Sequence, residues 1–214
     1  ITYTTYSVIP DSTPSSTYTP KNKVEAVCQL SAESIVCMSK TDDRQLIERC
    51  RSGDRKAFEA LLVEYEKPVF NAAYRMLNSR DDAQDVTQTV FLKVFENIDQ
   101  FDPTRRFFSW IYRITLNESI NWLGKTKRLE PLTYDAAFEG KGPEQEVESA
   151  NVSSNVQAAL MTIKSDYRSV VVLKHFLGCS YVEISQILDV PEKTVKSRLY
   201  TARQQLKDAL TGKS

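Results

Sequence analysis

An all-α protein of two small helical domains joined by a flexible linker, the second a helix-turn-helix, is what three features of this chain predict. From Thr41 to Arg128 apolar residues recur at three- and four-residue steps, the pattern of helices that each bury one face. Residues 129–151 break that pattern with Pro131, Gly140, Gly142 and Pro143, which reads as a linker. Beyond it lie two further apolar stripes and then, from Ser180 to Leu210, two helices joined by a turn too short to let them lie antiparallel.

Residues 1–40 differ from everything after them. They are rich in Thr, Ser, Tyr and Pro and lack a helical period, so alone this extension is expected to be disordered. The chain opens on Ile, and Met38 directly precedes the first convincing helix, so the functional domain is expected to start near Met38. The alternating run from Ile1 to Val8 is compatible with a strand added to a partner.

Within residues 41–128 about five helices are expected, with Gly53, Pro68, Asn78-Ser79 and Asp102-Pro103 as punctuation. Leu46, Ile47 and Cys50 begin the apolar series; Phe58, Leu61, Leu62 and Tyr65 continue it; Phe70, Ala73, Tyr74 and Leu77 form a third stripe. In the next helix, from Asp81 to about Ile98, the apolar side is Ala83, Val90, Phe91, Val94 and Ile98. The outer side carries Asp85, Gln88, Leu92 and Glu96. Carboxylates and an amide around one exposed leucine suit a partner groove that contains Arg or Lys. After Phe101 to Phe108 a helix runs to about Lys125, with Phe107, Ile111, Ile114 and Trp122 toward the core and Trp110, Arg113, Asn117 and Asn121 on another side. An aromatic, a guanidinium and two amides can stack on unpaired bases and bond their edges, and Lys125, Lys127 and Arg128 extend a phosphate track.

In the C-terminal part, Val152, Val156, Ala159, Leu160 and Ile163 form one stripe, and Val170 to Leu177 a second that stops at Gly178. Tyr181, Ile184, Ile187 and Leu188 share a face of the next helix, which Asp189 closes in a left-handed conformation. Pro191 and Glu192 open the last helix. Its buried arc is Val195, Leu199, Ala202 and Leu206; its opposite face collects Lys193, Lys196, Ser197, Tyr200, Gln204 and Lys207, flanked by Arg198 and Arg203. Cations for phosphates beside hydroxyls and an amide for base edges are the equipment of a major-groove reader.

Composition narrows the classes. Of 214 residues 41% are hydrophobic, and 28 basic against 28 acidic side chains leave no net charge, so the distribution of charge matters more than its sum. Basic residues crowd the final helix and Lys125 to Arg128, while Glu130 to Glu148 is mostly acidic. Nothing resembles a signal peptide or a bilayer-spanning run, so a soluble cytoplasmic protein is expected. Cys28, Cys37, Cys50 and Cys179 form no C-x-x-C pair and His175 is the one histidine, so neither a metal site nor a cofactor is expected. His175 beside Phe176 is expected in a partly buried structural role.

Several segments together resemble the bacterial extracytoplasmic-function sigma factors of the sigma-70 family. The likeness covers about Asp42 to Leu210. It is carried by Tyr74-Arg75-Met76-Leu77, Asp82-Ala83-Gln84-Asp85-Val86-Thr87-Gln88-Thr89-Val90-Phe91, Phe101-Asp102 through Phe108-Ser109-Trp110-Ile111-Tyr112-Arg113-Ile114, and Thr194-Val195-Lys196-Ser197-Arg198-Leu199. The resemblance implies that residues 41–128 are sigma domain two and residues 152–214 sigma domain four, and that the protein is not an enzyme. It implies docking of Asp82, Asp85, Gln88, Leu92 and Glu96 on the clamp helices of the largest subunit of core RNA polymerase. It assigns Arg105, Arg106, Phe108, Trp110, Arg113, Asn117, Asn121 and Lys125 to the unwound minus-ten element. Lys193, Thr194, Lys196, Ser197, Arg198, Tyr200 and Arg203 are assigned to the minus-thirty-five duplex, and domain four also to the polymerase flap. An anti-sigma factor is a further expected partner, and the acidic linker is expected to thread toward the active-centre cleft. Gln84 stands where the family often has Glu, and Ser185 and Asp189 where it usually has Ala and Gly.

Three rival readings make different demands. A conventional helix-turn-helix regulator would bind duplex DNA without polymerase, and leaves the aromatic-basic stretch Phe107 to Arg113 without a role. An enzyme acting on nucleic acid needs a carboxylate cluster, an activated nucleophile or a phosphate loop, none of which the sequence offers. An adaptor that binds polymerase without reading DNA does not need the face from Lys193 to Lys207.

Overall fold

The computed structural model describes residues 43–129 and 147–211, and every regular element among them is helical. The N-terminal extension 1–40 lies outside the described residues, as do most of the linker and the side chains of Lys127, Arg128 and Val152.

The first group of helices is α1 (Asp43–Arg51), α2 (Arg55–Leu77), α3 (Arg80–Asn97) and α4 (Phe107–Leu129). Gly53, at φ +84°, turns the chain between α1 and α2. The Asp54 carboxylate then caps α2 by accepting the Lys56 N–H at 2.9 Å. Arg49 grips the same carboxylate at 2.7 Å and holds its pKa, with the Lys56 N–H, below the usual range. Pro68, expected as punctuation, lies inside α2. It removes one backbone hydrogen bond, but the buried row Leu61, Tyr65, Val69, Ala72, Ala73 and Met76 runs straight through it, and that packing overrides the local penalty. The helix ends where Asn78 enters the left-handed region at φ 60°. Ser79 immediately caps α3 by accepting the Asp82 N–H at 3.2 Å. Helices α2, α3 and α4 pack on one another around Met76, Val86, Val90, Phe91, Ile111 and Leu116. The Arg51 guanidinium donates to the Ile98 carbonyl at 3.1 Å and to that of Phe101, pinning a short 3₁₀ turn, Ile98–Gln100, between α3 and α4.

The second group is α5 (Val147–Thr162), α6 (Ser165–Val171), α7 (Tyr181–Leu188) and α8 (Glu192–Thr211). Helix α5 begins five residues before the domain boundary expected at 152. No Pro or Gly follows Pro143 in this stretch, so helix propagates outward from the packed segment Val156 to Ile163. Helix α6 runs into a π turn, Val172–Phe176, and two residues past its end Gly178 turns the chain at φ +68°. Leu160, Val171, Leu173, Ile184, Ile187, Val195 and Leu199 are buried at 1% exposure or less and form this half of the core.

The two groups are packed against each other. Arg168 of α6 is buried and donates to the carbonyls of Leu160, Met161 and Ile163 in its own group and to that of Met76 in α2. Gln157 of α5 donates to the Tyr74 carbonyl at 3.2 Å and accepts from Arg75 at 3.0 Å. The Arg75 guanidinium also lies 4.5 Å from the centre of the Phe176 ring. Helix α7 lies along α4.

Candidate nucleic-acid and partner interfaces

The outer face of α3 forms as its sequence requires. Val86, Val90 and Val94 are fully buried, which turns Asp85, Gln88, Leu92 and Glu96 to solvent. Leu92 is 62% exposed among these polar groups, and Asp82 is half-buried in the first turn. Phe95, equally exposed, extends the patch. Its ring meets the edge of Phe58 at 5.3 Å, and both rings line a groove of about 760 Å³ with Cys50 and Leu62. Sequence reasoning missed Phe95. The available signal was that it falls one position past the buried Val94, on the side Leu92 already marked as open.

Helix α4 is entered through a turn in which the Asp102 carboxylate accepts the Thr104 N–H at 2.9 Å and its hydroxyl at 2.6 Å. The Thr104 hydroxyl and N–H hold that carboxyl below its ordinary value. Arg105 and Arg106 follow in the open, and Arg113, Asn117, Asn121 and Lys125 run down one side of α4 at four-residue steps. Asn117, Asn121 and Lys125 are exposed, as the sequence predicted. Two aromatics differ from expectation. Phe108 is buried at 5% and packs on Tyr112, with ring centres 4.6 Å apart, so in this arrangement it meets no base. Trp110 is half-buried in a cluster with Phe101 at 5.1 Å and Phe107 at 5.8 Å. The three rings bury more apolar area together than a solvent-facing indole would, so one face of Trp110 belongs to the core.

The helix-turn-helix is built by local chemistry. Ser180 and Glu183 make a reciprocal capping box at the start of α7: the Glu183 N–H donates to the Ser180 hydroxyl at 3.2 Å, and the Ser180 N–H donates to Glu183 at 2.8 Å. Burial pushes the Glu183 carboxyl up, but the Ser180 bonds and the Arg106 guanidinium outweigh it and hold the group below its ordinary value. Asp189 closes α7 at φ 55°, ψ 47°, the left-handed conformation predicted for it. Ser185 donates to the Val190 carbonyl at 2.6 Å across the turn. Val195, Leu199, Ala202 and Leu206 are buried, and on the far side Lys193, Lys196, Ser197, Tyr200, Gln204 and Lys207 are exposed, Tyr200 by 68%.

Not every residue predicted for that face lies on it. Thr194 is half-buried. Arg198 turns inward to Asp166 at 3.4 Å, and Arg203 donates to His175 Nε2 at 3.4 Å, so both guanidinia brace α8 against α6 and the π turn. At roughly 100° per residue they sit on the flank of the arc, where a long side chain reaches a protein acceptor before it reaches solvent. His175 is half-buried in this contact, the structural role its sequence position suggested.

The chain's similarities agree with this layout. The family model described as Sigma-70 region 2 matches residues 61–129, and that described as Sigma-70, region 4 matches residues 153–206. The chain is 32% identical to the ECF RNA polymerase sigma factor SigW of Bacillus subtilis over 179 residues, covering 78% of this chain and 96% of that protein. It is 32% identical to the ECF RNA polymerase sigma-E factor of Escherichia coli over 174 residues, covering 76% of this chain and 91% of that protein. Among solved structures it is similar to CnrH in complex with the cytosolic domain of CnrY, at 28% identity and a TM-score of 0.61, covering 80% of this chain and 99% of that one. The sigma factor RpoE of Bartonella quintana, solved with the anti-sigma factor NepR, shares the fold at 23% identity and a TM-score of 0.57, covering 73% of this chain and 98% of that one.

Proposed function

The chain belongs to the extracytoplasmic-function sigma factors of the sigma-70 family, and we propose how its exposed faces divide the work of promoter-specific initiation among polymerase, single strand and duplex. As a sigma factor it binds core RNA polymerase and contributes recognition rather than catalysis. On this reading the region from α1 to α4 is sigma domain two and the region from α5 to α8 is sigma domain four.

The α3 face docks on the polymerase clamp helices: Leu92 enters an apolar recess, helped by Phe95, while Asp85 and Glu96 orient basic residues around it. Arg105, Arg106, Arg113, Asn117, Asn121 and Lys125 bind the unwound minus-ten strand. The open face of Trp110 offers a stacking platform there. Flipping a base costs a few kcal/mol, and pockets that hold the flipped base offset that cost, which makes melting favourable without any chemical step. Lys193, Lys196, Ser197 and Tyr200 read the minus-thirty-five duplex, while Arg198 and Arg203 hold the reading helix at its angle. Two weak readers on one chain raise each other's effective concentration, so neither needs high affinity alone. The place of work is the cytoplasm, at the nucleoid. An anti-sigma factor that covers the α3 face would silence the protein.

The observation that carries this reading is one exposed acidic-apolar face and one exposed basic-polar face on opposite halves of the molecule, at α3 and α8. The test measures core-polymerase affinity and run-off transcription for two variants. Asp85→Arg should weaken core binding by roughly tenfold or more, the scale of a reversed charge at a protein contact. Lys196→Glu should leave core binding intact and abolish transcription. Wild-type core affinity in Asp85→Arg would remove α3 from the polymerase contact.

A further inference from the structure

The C-terminal half of α2, the first residue of α3 and the end of the π turn line a cavity of about 240 Å³, made of residues that none of the faces assigned to DNA or polymerase uses. Its charges are of one sign. Arg75 and Arg80 line it, and among the described residues no carboxylate does. Both guanidinia lie against aromatic rings, Arg75 at 4.5 Å from the centre of Phe176 and Arg80 at 6.0 Å from that of Phe70. Gln157 accepts from Arg75 at 3.0 Å, which fixes the orientation of that fork. Phe70 and Tyr74, one helical turn apart on α2, present nearly parallel rings, with 6.4 Å between centres and 9° between planes. Asn71 between them adds an amide to the lining.

Each part of this lining has a chemical counterpart. Two guanidinium forks facing one space suit a phosphate, whose oxygens accept paired hydrogen bonds. Aromatic faces suit a planar ring, and every nucleobase has one. An amide both donates and accepts, as a base edge or a sugar hydroxyl requires. Size then limits the occupant. Sites for drug-sized ligands run to roughly 300–1,000 Å³, so this smaller cavity takes one ring system with one phosphate and excludes a strand of nucleic acid. Phe70 and Tyr74 are only half-buried and Arg80 is exposed, which leaves the entrance open to solvent.

We infer that this cavity is a binding site for a mononucleotide: Arg75 and Arg80 hold the phosphate, the wall of Phe70 and Tyr74 carries the base, and Asn71 bonds its edge or the sugar. The walls come from both helical groups, so an occupant ties α2 and α3 to the π turn and stabilises the folded chain by mass action. The site stands apart from the promoter-reading faces and does not depend on how they are assigned.

The test titrates the full chain with adenosine and guanosine 5′-monophosphate, with ribose 5-phosphate and with inorganic phosphate, read by calorimetry and by thermal unfolding. Two variants accompany the wild type. Arg80→Ser changes an exposed side chain and leaves the core intact; the double variant Lys193→Ser, Lys196→Ser removes cations from the exposed face of α8, where anions also gather. Wild type should bind one nucleotide per chain and melt at a higher temperature when it is present. Ribose 5-phosphate and inorganic phosphate should bind roughly tenfold more weakly or worse, the scale of a lost stacking contact. Arg80→Ser should weaken nucleotide binding by roughly tenfold, the scale of a lost charge-assisted bond, while the α8 variant binds as wild type does. No nucleotide binding at millimolar concentration, or binding that the α8 variant loses and Arg80→Ser keeps, would overturn the site. Inorganic phosphate that binds as tightly as the nucleotides would overturn the mononucleotide as its ligand.

Discussion

At Arg168 a guanidinium 6% exposed bonds four carbonyls, three at the end of α5 and one at the end of α2. Burial lowers its pKa but the fork of donors keeps every buried acceptor satisfied. Arg168→Ala should therefore cost about 3 kcal/mol, the loss of charge-assisted bonds plus orphaned carbonyls, read as a lowered midpoint in denaturant. Arg168→Lys should not rescue it, because one ammonium cannot reproduce the planar fork. Glu183 carries a pH signature of the opposite kind. Its carboxyl titrates below its ordinary value of 4.5 when folded, so the stability it adds is complete above that pH and is lost as pH falls through the depressed value. Glu183→Gln should lower the melting temperature by a few degrees at pH 7 and by progressively less as pH falls below 4.5; an equal effect across that range would show that its charge is irrelevant. At this scale the sequence was most informative where local geometry decides, as at Asp189. It set Arg198 and Arg203 beside the basic face but could not show their inward turn, because their partners Asp166 and His175 lie 32 and 28 positions away in the chain.

Helix α2 joins two apolar stripes that the sequence suggested were separate, because Pro68 signals a break locally while the buried row from Leu61 to Met76 signals continuity. Packing won. Pro68→Ala restores a backbone hydrogen bond and should stabilise the protein by about 1 kcal/mol, less than the full helix-propensity difference because the native backbone has already adapted to the ring. A destabilised Pro68→Ala would mean that the ring itself is needed for packing. Periodicity located the faces of α3 and α8 well, since each carries a continuous apolar row opposite a polar one. It read α4 less well: Phe108 and Trp110 sit near the helix start, where aromatic clustering with Phe101, Phe107 and Tyr112 outbids the simple two-sided pattern. Asn117→Ala and Asn121→Ala, both at exposed positions, should consequently weaken single-strand binding without changing the melting temperature, whereas Trp110→Ala should lower both.

For the molecule as a whole, the chain order of motifs made the two-part helical architecture legible, because each unit announces its own core. The seam between the units was not legible. It depends on pairs such as Arg106 with Glu183 and Arg75 with Gln157, more than seventy positions apart, and no local pattern encodes such a meeting. Along the seam α7 lies on α4, where the Arg106 and Arg113 guanidinia donate to the Glu183 and Asp189 carboxylates. The central claim remains that this chain confers promoter recognition on polymerase. Run-off transcription tests it most directly, with the full chain, bacterial core polymerase and pooled promoter fragments from the source genome, and with Asp85→Arg and Asn121→Ala alongside. Discrete transcripts that appear only when chain and polymerase are combined, and that both variants diminish, are the predicted result. No transcripts, together with tight duplex binding by the chain alone, would contradict the account and mark the protein as a conventional helix-turn-helix regulator.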